Sequence, residues 1–124
     1  MTNDQYIKTK MLVVKRGCDY FTFNVNDIAF IYAANETSYI IDKEGKKFFC
    51  SLSLSKIEQE LSHHFFRANR QYIINIYYIR SFRTHQKKKL IIEMKVDDGK
   101  GIIQISQVTA PKFREWISAF YIQM

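Results

Sequence analysis

Apolar and polar positions along the chain alternate in patterns that assign most of its elements. Tyr20, Thr22 and Asn24 alternate with Phe21, Phe23 and Val25, the two-residue period of a strand with a bulky row on one face. Ordered structure is expected to begin before this, at 11–15, after a polar stretch at 1–10 that reads as a tail or as the remnant of a linker. Asn26-Asp27 supplies a turn into 28–33, a run of β-formers too short for a helix. Asn35-Glu36-Thr37-Ser38 reads as a polar loop. Residues 39–41 and 47–50 flank Asp42-Lys43-Glu44-Gly45, whose acidic start and glycine fit a hairpin connection. After Ser51 the period changes. Leu54, Ile57 and Leu61 make a helical stripe, Ser55 with Glu58 matches a capping box, and Ser53 is an alternative cap. The helix is expected over about 53–62, with His63 and His64 at its end.

The stretch 65–80 interleaves Arg67, Asn69, Arg70, Gln71 and Asn75 with a dense apolar run. It reads as a rigid, half-buried segment with a tight turn after Phe66. Residues 81–84 continue as strand, 85–89 form a basic hairpin tip, and Leu90, Ile92, Met94 and Val96 alternate with Lys89, Ile91, Glu93 and Lys95. Asp97-Asp98-Gly99-Lys100 turns the chain into 101–106, so 79–106 is expected to be a three-stranded meander. Thr109, Ala110 and Pro111 open a last helix, because proline fits only the first turn. Phe113, Trp116, Ile117 and Phe120 recur along it at helical spacing, an apolar stripe for core or interface over about 110–121.

Composition narrows the class. The 124 residues are 47% hydrophobic and 15% aromatic with one proline and four glycines, which fits one folded domain at 11–122 and excludes low complexity. Nineteen Lys and Arg against twelve Asp and Glu give a net charge of +7, which favours a polyanionic partner through counterion release. Cys18 and Cys50 stand far apart and read as inert reduced thiols. No apolar run is long enough for a membrane span and the N-terminus lacks a signal pattern, so a cytoplasmic protein without a membrane partner is expected. The chain carries no Gly-rich phosphate loop, no nucleophile beside an evident base and no ligand-spaced metal set. It reads as a non-enzyme without cofactor or metal.

Guanidinium and amide groups are the chemistry of the 65–80 stretch. Arginine forks donate to phosphate or guanine, and Asn and Gln amides pair with adenine. The same residues also have a structural reading, in which Arg67 snorkels, Asn69 opens a turn and Asn75 caps its own backbone. The order of elements from about Met11 to Phe120 resembles the LytTR family of DNA-binding domains, the effector modules of bacterial response regulators. Phe66, Arg67, Arg70 and Asn75 stand at the matching places of the family's central pattern. Asn69 and Gln71 replace its frequent His and Ser, and Gln107 stands after Ser106 where Arg is frequent. The resemblance implies a mostly β fold of stacked antiparallel sheets with two short helices and with loops that enter DNA grooves. It implies sequence-specific binding of double-stranded DNA by a two-component transcriptional regulator whose receiver domain would lie upstream. It also implies a domain monomeric alone and paired on DNA.

On this reading Asn69 and Arg70 are the first candidates for major-groove contacts, with Gln71 beside them. The loop Asn35, Ser38 and Tyr39 and the strand end Ser106-Gln107 supply two further patches. Arg67 serves phosphates or the fold, and Lys87, Lys88 and Lys89 serve phosphates or a solvated tip. Two other classes stay open: an interaction module using Tyr77, Tyr78, Tyr121 and the last helix, and a single-strand binder stacking bases on its aromatic residues.

Overall fold

The computed structural model describes residues 11–96 and 99–122. The expected tail at 1–10 lies outside the described residues, as do Asp97 and Asp98 of the expected turn. Ten strands and two helices follow in the order β1 (Met11–Arg16), β2 (Asp19–Asn24), β3 (Ile28–Ala34), β4 (Thr37–Asp42), β5 (Lys47–Cys50), α1 (Leu54–Glu60), β6 (Phe65–Arg67), β7 (Tyr72–Asn75), β8 (Ile79–Thr84), β9 (Leu90–Met94), β10 (Ile102–Ile105) and α2 (Ala110–Ser118). Antiparallel pairing builds a seven-stranded sheet, β2-β1-β5-β4-β3-β7-β6, and a three-stranded one, β10-β9-β8. The expected meander and the hairpin around Gly45 are both present.

The central strands of the large sheet are covered on both faces, which explains the unbroken apolar run of β3. Phe30 and Tyr32 point with Ile41 and Ile74 into a core shared with Ile79, Leu90, Ile92, Ile103 and the α2 residues Phe113 and Ile117. Ile31 points the other way, with Ile40 and Ile73, onto Leu54 and Ile57 of α1 and Val14 of β1. The alternation along a strand thus serves two apolar environments rather than one apolar and one aqueous.

Two corners of the chain share one construction. Asn24 and Asn75 each sit at a strand end and accept a bond through Oδ1 from the backbone two residues on, Asn26 and Tyr77, which starts a short 3-10 turn before the next strand. Asn75 is fully buried and its Nδ2 donates to Ile28 O at 2.8 Å, fastening one corner to the exit of the other. Such a buried amide is tolerated because both its ends are bonded.

Helix boundaries differ modestly from the sequence expectation. The cap of α1 is Ser53, whose Oγ accepts from Lys56 N at 3.1 Å, not Ser55, which is already helical. Leu61 leaves the helix with extended backbone. The last helix stops at Ser118, two residues short of Phe120, the end of its apolar stripe. Trp116 Nε1 donates to His63 O at 2.7 Å and the Trp116 ring stacks on Phe66 at 4.9 Å, so α2 is held against β6.

Candidate nucleic-acid interface

The connection 68–71 is built from its neighbours inward. Ala68 N donates to Tyr72 O at 2.9 Å to close the β6–β7 hairpin. Arg67, half-buried at the end of β6, aims its guanidinium back over this turn. Nε donates to Asn69 O at 2.8 Å, Nη2 to Arg70 O at 3.0 Å, and Nη1 reaches Glu58 Oε1 on α1 at 3.0 Å. A planar fork with several donors can hold two carbonyls and a carboxylate together, as a lysine cannot. Asn69 is equally engaged: Oδ1 accepts from Gln71 N at 2.8 Å and Nδ2 donates to Gln104 O of β10 at 2.8 Å. The turn is therefore clamped from α1 on one side and from the small sheet on the other.

This engagement separates the candidates. Arg67 and Asn69 shape the turn, while Arg70 and Gln71 are exposed and their side chains have no bonded partner among the described residues. The sequence ranked Asn69 with Arg70 as a first reader; its amide is already occupied at both ends. A depression of about 670 Å³ is lined by Asn69, Arg70 and Gln71 together with Ser106 and Thr109, so the central stretch and the strand end after β10 meet. Ser106 Oγ accepts from Thr109 N at 3.2 Å, and Ser106 O accepts from Ala110 N at 2.9 Å. It starts α2 and leaves Gln107 exposed on the intervening turn, its side chain without a bonded partner among the described residues.

The Asn35 patch is smaller than expected. Asn35 and Glu36 alone form the β3–β4 turn, both with positive φ, 52° and 63°, the hand that suits a two-residue hairpin. Thr37 and Ser38 already belong to β4. Ser38 is 2% exposed and its Oγ donates to Leu52 O at 2.6 Å, so the expectation that it contacts a ligand is corrected: it fastens β4 to the segment after β5. Tyr39 is half-buried, its ring stacked on Tyr32 at 5.3 Å under the Lys47 ammonium, 4.6 Å from its centroid. Asn35 remains exposed at the tip.

Ser51, which the sequence reading left out, joins Thr37 of the expected 35–39 loop. They line a second depression, about 390 Å³, with Arg67 and Arg70, which places Arg70 on the rim between the two hollows. Hydroxyl residues at strand ends are too common to stand out in a sequence. Among the described residues no aromatic ring lines either depression.

The basic tip joins the same end of the molecule. Thr84 pairs with Leu90 and Leu90 with Ile105, so 85–89 and Ser106 emerge from one end of the small sheet, about two strand spacings or ~10 Å apart. Lys87 and Lys88 both take positive φ, 58° and 62°, in a short 3-10 turn that turns these charges into solvent. The Tyr77 and Tyr121 surface lies away from these residues, beside the fully buried Asn75 corner; Tyr121 OH donates to Ile76 O at 3.2 Å.

Among the described residues no group of His, Cys, Asp and Glu could hold a metal ion, and no helix is long and apolar enough to cross a membrane. No curated protein matches the chain. Among solved structures it is similar to a LytTr DNA-binding domain from a Bacillus cereus response regulator, at 19% identity and a TM-score of 0.74 over 86% of this chain and 95% of that one. That likeness shows the same fold. The sequence model of the LytTr DNA-binding domain matches residues 19–118, and the chain belongs to that family.

Proposed function

We propose that this domain binds double-stranded DNA in a sequence-specific manner, as the effector part of a bacterial, cytoplasmic transcriptional regulator. Arg70 and Gln71 read base edges in the major groove, Gln107 and Asn35 reach flanking positions, and Lys87, Lys88 and Lys89 contact phosphates. Arg67 and Asn69 hold the reading turn in shape. The observation that carries this is the clamped turn 68–71. Its scaffold donors are engaged internally, and the two side chains it leaves free are a guanidinium and an amide, the groups that bond guanine and adenine edges in pairs.

Family membership supports DNA as the partner. Among the described residues neither depression is lined by an aromatic ring, which favours a duplex over a single strand, because single-strand grooves stack bases on rings. The net charge of +7 supplies affinity without sequence choice. The domain is paired on DNA and answers to a receiver domain elsewhere in the regulator.

Selection from random duplexes at two salt concentrations tests the reading. It should enrich a motif bound more weakly as salt rises. Arg70→Ala should then cost about 1–3 kcal/mol on the enriched site and less on random duplex. No enrichment would remove the specific-binding reading, and equal loss on both duplexes would make Arg70 a phosphate anchor.

A further inference from the structure

Two sheets present four edges, and three of them are guarded. β6 is three residues long and carries Arg67 folded back over its end. β8 carries Arg80 and Arg83, both exposed. The β10 carbonyl of Gln104 is taken by Asn69. The fourth edge, β2, has six residues, Asp19-Tyr20-Phe21-Thr22-Phe23-Asn24, with no Lys, Arg, Pro or Gly among them. An edge of this kind lacks the usual devices against pairing with another chain.

Its open side follows from the hairpin. Gly17-Cys18 is a two-residue turn with Gly17 at φ +65°, and Arg16 pairs with Asp19. The residues flanking such a turn exchange both backbone bonds, so Asp19, Phe21 and Phe23 bond toward β1 while Tyr20 and Thr22 aim their N–H and C=O outward. Tyr20 is 70% exposed, and among the described residues nothing bonds to this edge.

We infer that the outer edge of β2 pairs antiparallel with β2 of a second copy of this chain, joining two protomers through one continuous sheet. The strand is self-complementary about Thr22. A two-fold axis there places Thr22 opposite Thr22, Phe21 opposite Phe23 and Tyr20 opposite Asn24. Side-chain faces match across every pair, and no charge meets a like charge. Thr–Thr and aromatic pairs are favourable across strands. The contact is shorter than the ~1,000 Å² interfaces that persist alone; adjacent DNA sites would raise the effective concentration and favour it. The inference does not depend on DNA binding.

The test uses the free chain. Sedimentation equilibrium from micromolar to millimolar concentration should show a reversible monomer–dimer equilibrium, and Thr22→Pro, which removes an outward N–H and no bond to β1, should abolish it. In a Cys18→Ser background, Thr22→Cys should oxidise to a disulfide dimer at least tenfold faster than Tyr20→Cys, because only residue 22 meets its own copy, with Cα atoms about 5.5 Å apart. A wild-type chain monomeric throughout, a Thr22→Pro chain that still associates, or equal crosslinking rates would each overturn the inference. Affinity for a duplex with one site should be unchanged by Thr22→Pro, so a failure of DNA binding is read separately.

Discussion

Arg67 and Arg70 are three residues apart and carry the same group, yet the fold gives them opposite roles. Arg67 bonds two carbonyls of the turn and one carboxylate; the Arg70 side chain bonds nothing among the described residues and stands on the rim of both depressions. Arg67→Ala is expected to destabilise the domain by about 1–3 kcal/mol in urea unfolding, from the loss of charge-assisted bonds to the half-buried Asn69 carbonyl and the exposed Arg70 carbonyl. Arg67→Lys separates the two meanings of this residue: a phosphate contact would survive with lysine, whereas a clamp would not, because one ammonium cannot span both carbonyls. The expected outcome is that lysine restores neither stability nor affinity for the preferred duplex. The sequence supplied both readings of Arg67 and Asn69, and it lacked what chooses between them. The partner of Asn69 Nδ2 is a carbonyl 35 residues away.

At the scale of elements, period and punctuation carried further. The two-residue alternation of β9 and the helical stripe of α2 describe their own faces, because side-chain direction is set by backbone geometry alone. The turn at Gly45 was legible for the same reason: Asp42 Oδ1 accepts from Glu44 N and Lys46 N, at 2.9 and 2.8 Å, and Gly45 takes φ +84°. The end of α1 has a titratable member. His64 bonds Ser62 Oγ through Nδ1 at 2.6 Å and packs on Phe65 and Tyr77, and its pKa is lowered by burial and then by the neighbouring His63. Between its folded value and the ordinary 6.5, the unfolded chain binds more protons than the folded one. Stability is therefore full above 6.5 and declines as pH falls below it until the folded value is passed. A fall in the urea midpoint from pH 7.5 to 5.5 that is smaller in His64→Gln is the expected result; an identical fall would exclude His64 as a source.

For the whole molecule, register decides where chemistry gathers. The turns 35–36, 68–71 and 85–89 and the residues after β10 are separated in sequence, but antiparallel pairing brings them to one end. Family membership supports DNA as a partner, and the proposed function assigns it to that end, with the Lys87–Lys89 tip as a detached electrostatic part. Exchanging Lys87, Lys88 and Lys89 together for Gln should weaken binding to preferred and random duplex alike. It should reduce the slope of log affinity against log salt by up to about 3 and leave the selected motif unchanged. An unchanged slope would show the tip to be a solvated guard of the β8–β9 hairpin.

Local physics was enough for the sequence to determine the β class, the two helices, the hairpins, the meander and the concentration of guanidinium and amide groups in 65–80. Alternation, capping and turn chemistry act over a few residues and leave their mark in order along the chain. The tertiary structure alone decided which polar groups are free. Ser38 turns inward to Leu52, Asn69 reaches β10, Arg67 closes over its own turn, and Thr37 and Ser51 come beside Arg70. A hydrogen-bonding side chain has the same identity whether its partner is its own fold or a ligand, and the competition is settled by groups distant in sequence and adjacent in space.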